Sequence, residues 1–257
     1  MPNQVRFSPW ATPLSGVELV LGSGVAGGQG GLSVAEMRQL GRDCAVRATH
    51  QLVGETAGEL TYSELGAPVW TGGNRQVHIS ISRTGQCAIG ACSPTAIGID
   101  IEFVDRNVNR LLNSFTVDEQ ELAKAVPPIA ILCAKEAAGK ATGVGLAGSI
   151  TRWGVSPLGP DSPFLLVRDL HTGNQWRTWT GAIEVGARKL QCAIAQSHNP
   201  AREKLHEIYE SAQVEVRPIG TQAWTDAVET VRERALSAVV ITAWNPGTDR
   251  PSITANA

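Results

Sequence analysis

Gly98-Ile99-Asp100-Ile101-Glu102 alternates strictly between apolar and acidic side chains, and this constrains the fold more than any other stretch of the chain. A β-strand sends successive side chains to opposite faces. Ile99, Ile101 and Phe103 therefore face a core. Asp100 and Glu102 face the other way, about 7 Å apart along the strand. Like charges that close repel unless a cation lies between them, and a hard, oxygen-seeking ion such as Mg²⁺ suits the pair. The plain alternative is an edge strand with a solvated face. A second stretch, Lys135-Glu136-Ala137-Ala138-Gly139-Lys140, reads as helix, with Glu136 and Lys140 sharing a face as i,i+4 neighbours. On a surface such a pair is worth about 0.3–0.5 kcal/mol. Its neighbours Ile131, Leu132, Cys133 and Ala134 are apolar or small, so these charges are expected half-buried and in need of partners. Three carboxylates and two lysines that converge are suited to holding Mg²⁺ and a polyphosphate together.

The chain has 257 residues, 42% of them hydrophobic, and a formal net charge of −2. That is enough for one large domain or two smaller ones. The balance argues against a nucleic-acid binder, which would carry a basic excess. The 5 cysteines are scattered without CxxC spacing, which predicts reduced core residues and no zinc site. No stretch reads as a leader or a membrane span, so a soluble cytoplasmic protein is expected.

Along the chain, 16–22 reads as a strand and 22–31 as a glycine-rich connection lacking the lysine of a phosphate loop. Ser33 reads as the N-cap of a helix to about Val53, ended by Gly54. The stretch 66–73 reads as a turn, and 78–82 and 86–92 as strands joined through Arg83-Thr84-Gly85. A strand over 96–103 is followed by helices over about 114–125 and 129–142, separated by Pro127-Pro128. Strands are expected over 153–157, 163–169, 175–180 and 189–195. Beyond about 200 the chain becomes more charged, with a helix expected at 224–235 and a strand at 238–243.

GIDIE followed by the KExxxK helix, with Gly66-Ala67-Pro68-Val69-Trp70, the Gly41-Arg42 helix and Cys-Ala-Lys-Glu-Ala at 133–137, resembles the surfactin- and enterobactin-type (Sfp-like) 4′-phosphopantetheinyl transferases over about 35–197. The resemblance implies an α+β fold of two pseudo-symmetric α/β subdomains with the active site at their interface. It divides the chain into 1–97, with the coenzyme A helix and hairpin, 98–199, with the two motifs, and an extension, 200–257. It implies transfer of the phosphopantetheine arm of coenzyme A to a serine of an apo acyl or peptidyl carrier protein. Such carriers serve fatty-acid, polyketide or nonribosomal-peptide synthesis, and a monomer is expected. By the same resemblance Asp100, Glu102 and Glu136 match the magnesium ligands and Glu136 the base for the carrier serine. Lys140 matches a lysine at the pyrophosphate, Lys135 the basic residue before the glutamate, and Arg42 an arginine near the 3′-phosphate of coenzyme A.

The chain departs from that pattern in places. Ser82-Arg83 stands where the family usually has Ser-His in the hairpin over coenzyme A, so Ser82, Arg83 and Thr84 are candidate coenzyme A contacts. Arginine keeps the charge and offers a forked donor. Val46 stands where a second arginine is common, and Arg47 beside it, rotated by about 100° on the helix, is the candidate coenzyme A contact in its place. A basic residue common before the GAPVW turn is missing, and a less basic 3′-phosphate pocket is expected. Two alternatives follow. One is an inactive relative that binds carrier proteins or coenzyme A; the other is a different Mg²⁺-dependent phosphohydrolase using the same carboxylates.

Overall fold

The computed structural model of the protein describes residues 4–9, 14, 16–25, 31–54, 58–72, 76–146, 149–159 and 162–198, together with 240–241 and 253–254. The chain divides into two compact units, Met1–Asn199 and Pro200–Ala257.

The first unit begins with β1 (Gln4–Pro9) and β2 (Glu18–Val25), followed by α1 (Val34–Val53). Ser33 starts α1 with a capping box: its hydroxyl accepts from the Glu36 amide at 3.3 Å, and Glu36 accepts from the Ser33 amide at 2.7 Å. Then come β3 (Glu59–Tyr62), β4 (Pro68–Thr71), β5 (His78–Thr84) and β6 (Cys87–Ser93). Strands β1-β2-β6-β5 form a four-stranded antiparallel sheet, and β3 and β4 a separate hairpin. Leu40, Cys44, Ala45 and Ala48 of α1 pack on that sheet against Val20, Ala88 and Cys92. Contact is close because position 90 is glycine: a Cβ there would stand 2.3 Å from the Ala45 nitrogen.

Next come β7 (Ile97–Phe103), α2 (Asn109–Leu112), α3 (Val117–Leu122) and α4 (Pro128–Ala141). They are followed by β8 (Trp153–Pro157), β9 (Phe164–Asp169), β10 (Gln175–Val185) and β11 (Arg188–Ser197). These strands form a five-stranded antiparallel sheet ordered β7-β11-β10-β9-β8. Cys133, Ala134 and Ala137 of α4 sit among Trp153, Val167, Trp176 and Ala193 of this sheet. At Gly98 a Cβ would stand 1.8 Å from the Ala137 carbonyl oxygen and 2.6 Å from the Ala141 nitrogen. The first residue of the GIDIE run is therefore where α4 lies on β7. Leu19 and Ile89 of the first sheet share one core with Ile99, Ile101 and Ile194 of the second. In the second unit β12 (Val240–Ile241) pairs antiparallel with β13 (Ile253–Thr254). The helix expected at 224–235 lies outside the described residues, as does most of the strand expected at 238–243.

Several expectations are corrected. Residues 68–71 are strand, not turn, because Gly66, at φ 79°, carries the reversal. The β5–β6 turn is at Gly85-Gln86, with Gly85 at φ 53°, so Arg83 and Thr84 stay in β5 and pair with Ala88 and Cys87. Gly22 and Gly24 belong to β2 rather than to a loop. The helix expected over 114–125 is the shorter α3, capped by Thr116, while β1 and α2 had no recognised signal. All five cysteines are free and buried.

Candidate active site

Alternation along β7 buries Ile99 and Ile101 in the shared core and turns Asp100 and Glu102 toward β5 and α4. Asp100 is 3% exposed. Its Oδ1 accepts from Ser82 Oγ at 2.8 Å and from Lys140 Nζ at 2.7 Å. Its Oδ2 is buried with no hydrogen-bond partner. The Cys133 thiol, a weak donor at best, lies toward this carboxylate, its pKa held well above the usual value by burial first and by Asp100 second. Lys140 Nζ also donates to Ser82 Oγ at 3.0 Å and to the Ile99 carbonyl at 3.1 Å. Glu102 accepts from Thr84 Oγ1 at 3.1 Å and forms an ion pair with Arg106.

Glu136 completes the group from α4. Burial pushes its carboxyl up from 4.5 to about 7, and the Asp100 charge adds to the rise, with Lys140 opposing it. Glu102 raises it further and Arg106 lowers it. The three carboxylates are thus within one another's electrostatic reach. Two protein cations, Lys140 and Arg106, neutralise two of them.

Beside Lys140 opens a cavity of about 710 Å³. The β3–β4 turn at Pro68 and Trp70, β5 at His78 and Ile79, and the chain after α4 at Thr142 and Val144 line it. Among the described residues, Lys140 is the one lysine or arginine in that lining.

Four expected contacts lie elsewhere. Lys135 faces the interior from the other side of α4: its side chain is 0% exposed, and Nζ donates to Glu119 Oε2 at 2.8 Å and to the Ile150 carbonyl at 3.3 Å. The Phe115 ring lies 5.0 Å away. A helix turns about 100° per residue, so Lys135 cannot share the Glu136–Lys140 face. Arg42 donates to the Leu60 carbonyl, lies 3.8 Å from Glu59 and sits above Tyr62. Arg47 stacks over Phe7 at 4.1 Å. Arg83 points away from its neighbours Ser82 and Thr84, and its methylenes pass over Gly41 of α1. Arg106, by contrast, joins the group without having been anticipated; a basic residue four positions after Glu102 was the available signal.

Among the described residues, no group of three or more His, Cys, Asp and Glu side chains is close enough to hold a metal ion. The expected three-carboxylate magnesium cage is therefore not assembled in this arrangement. The donors still suit a hard cation chemically: Asp100 Oδ2 is buried without a partner, and Glu136 is driven toward protonation by burial first and by two neighbouring carboxylates after it. Among the described residues no helix is long and apolar enough to cross a membrane.

A family model described as the 4′-phosphopantetheinyl transferase superfamily matches residues 96–195. The matched span runs from β7 through β11, with Asp100, Glu102, Glu136 and Lys140 inside it. No curated protein matches the chain.

Proposed function

We propose that the protein transfers the 4′-phosphopantetheine arm of coenzyme A to a serine of an acyl or peptidyl carrier protein, with Mg²⁺, in the manner of the Sfp-like branch. The superfamily match supports phosphopantetheine transfer in general. One observation carries the finer reading: a buried carboxylate, Asp100, with one oxygen held by Lys140 and Ser82 and the other unpartnered, beside Glu136 titrating near neutrality.

Each residue then has a task. The carrier hydroxyl attacks the β-phosphorus of the coenzyme A pyrophosphate, and its proton passes to the Glu136 carboxylate. The bond from that phosphorus to the bridging oxygen breaks, and 3′,5′-ADP leaves with the electron pair. Burial, which raises the Glu136 carboxyl toward the working pH in the metal-free site, favours proton uptake there. Lys140, lining the cavity and touching Asp100, is placed to meet a phosphate oxygen of a nucleotide lodged there. Asp100, Glu102 and Glu136 are the residues that would hold magnesium. The chemistry the ion supplies in such a site is neutralisation of charge on the pyrophosphate oxygens.

Arg42 and Arg83, whose methylenes pass over the neighbouring Gly41, remain the proposed 3′-phosphate contacts, reached once Arg42 exchanges the Leu60 carbonyl for a phosphate. Lys135 carries no ligand in this reading. We read 1–97 and 98–199 as the two halves, each one long helix laid on an antiparallel sheet at a glycine, Gly90 and Gly98.

The test is incubation with Mg²⁺, coenzyme A and a panel of apo carrier proteins, followed by intact mass measurement. A carrier that gains the phosphopantetheine mass supports the proposal. Carriers that bind but gain nothing point to the inactive binding module instead.

A further inference from the structure

Ser80, Ser82 and Thr84 occupy alternate positions of β5 and so share one face of that strand. All three hydroxyls point at β7. Ser80 Oγ accepts from the Ile99 amide at 3.0 Å, and Ser82 Oγ from the Ile101 amide at 3.2 Å. Ser82 Oγ also donates to Asp100, and Thr84 Oγ1 donates to Glu102. Residue numbers rise together on the two strands, so β5 and β7 run side by side in the same direction. They belong to different sheets, and side-chain hydroxyls bridge the seam where a backbone ladder would otherwise run. Each rung serves a stated atom. Ser80 touches only backbone, whereas Ser82 and Thr84 each touch one carboxylate of the site.

We infer that Ser82 and Thr84 are positioning residues, which anchor the Asp100 and Glu102 carboxylates at the β5–β7 seam, facing α4, from where they would turn to a cation, rather than contacts to coenzyme A. The inference rests on the transferase reading for the cation's role. Ser82 Oγ is saturated: it donates its single hydrogen to Asp100 and accepts from Lys140 and from Ile101. With Ser82 only 4% exposed, that hydroxyl has nothing left to offer a phosphate. Thr84 and Arg106 share Glu102 between one hydroxyl and one guanidinium, so each carboxylate of β7 has one anchor on β5. Outer partners of this kind are typically worth about 10–100-fold in cation affinity or activity.

The experiment measures Mn²⁺ affinity by electron paramagnetic resonance, with steady-state transfer kinetics, for the full chain and four variants. Ser82→Ala and Thr84→Val should weaken Mn²⁺ binding about 10–100-fold and lower kcat, with KM for coenzyme A unchanged. Thr84→Ser should restore both, because it keeps the hydroxyl. Ser80→Ala should lower the unfolding midpoint while leaving Mn²⁺ affinity as it was, since its hydroxyl meets no carboxylate. Should Ser82→Ala fail to fold, the near-isosteric Thr84→Val still decides. Unchanged Mn²⁺ affinity in folded Thr84→Val, no Mn²⁺ binding by the parent protein, or a raised KM for coenzyme A at constant kcat would each overturn the inference. If the parent protein binds Mn²⁺ and the affinity pattern holds, yet no carrier is modified, the transferase reading fails and the positioning role stands.

Discussion

Two lysines five positions apart on α4 meet carboxylates in opposite ways. Lys135 and Glu119 are both 0% exposed, and every polar atom of the pair is satisfied: Glu119 Oε1 accepts from the Val155 amide at 2.9 Å, and Oε2 from Lys135 and the Thr116 amide. Burial lowers the Lys135 pKa, with the Glu119 carboxylate opposing the shift. Lys140 is 29% exposed, beside Asp100 at 4%, and the Asp100 carboxylate keeps one oxygen without a partner. The first pair is a closed network that ties α3, α4 and β8 together. The second is open, with one face on a cavity. A closed network holds structure, and an open one has capacity left for a ligand.

If that contrast is right, the two lysines fail differently when removed. Lys140→Ala and Asp100→Ala should lower transfer to a carrier by about a hundredfold or more while the unfolding curve moves comparatively little. Lys135→Met should do the reverse. It leaves the Glu119 charge buried without its counter-ion, at a cost of about 3–5 kcal/mol measured by urea unfolding. Folded Lys135→Met protein should keep its KM for coenzyme A. A Lys135→Met variant of normal stability but raised KM would place Lys135 at the ligand and dissolve the comparison.

The sequence permits part of this contrast and not the rest. Alternation put Asp100 and Glu102 on one side of β7, and i,i+4 spacing put Glu136 with Lys140 on one side of α4; both are local rules and both held in the fold. The N-cap at Ser33 likewise announced α1. Lys135 was misplaced because its partner, Glu119, comes from a separate helix, and which helix packs beneath α4 is a tertiary fact. The hydroxyl row of Ser82 and Thr84 was hidden by one turn. Placing the reversal at 83–85 took Thr84 out of the strand and hid the alternation it shares with Ser80 and Ser82. Arg42 was read as a phosphate contact from the resemblance and Arg47 from its place beside Arg42's expected partner position, while their side chains bend toward Leu60 and Phe7, partners that come from elements distant in sequence.

The open site should also give the chain a pH signature. Glu136 is raised in the folded state from 4.5 to about 7, so the folded protein holds a proton that the unfolded chain releases. The stability associated with that proton is complete below 4.5 and is lost as the pH rises through about 7, on the order of 3 kcal/mol. Urea unfolding in EDTA between pH 4.5 and pH 8 should show this decline. Glu136→Gln should flatten it, and Mg²⁺ added at pH 8 should recover much of the loss, because a cation beside the carboxylate offsets the repulsion. An identical decline in Glu136→Gln would assign it to other groups.

A closed pair should respond with the opposite sign, and Arg152–Asp169 is the case to use. Asp169 Oδ1 accepts from Arg152 Nε and from the His171 amide, both at 3.0 Å, while Oδ2 accepts from Arg152 Nη2 and from Thr172 Oγ1. The guanidinium first, and the amide and hydroxyl after it, hold the Asp169 carboxyl well below its usual 3.8, against the desolvation that would raise it. A depressed folded pKa gives stability that is fully present above 3.8 and is lost as the pH falls through the lower folded value. Asp169→Asn should therefore cost about 1–2 kcal/mol at neutral pH and remove part of the acid-side loss, leaving the neutral-to-alkaline decline from Glu136 untouched. Because the two signatures lie on opposite sides of pH 4, one titration of unfolding free energy separates the saturated networks from the unsatisfied one. A single monotonic curve shared by both variants would mean that saturation of hydrogen bonds does not distinguish them.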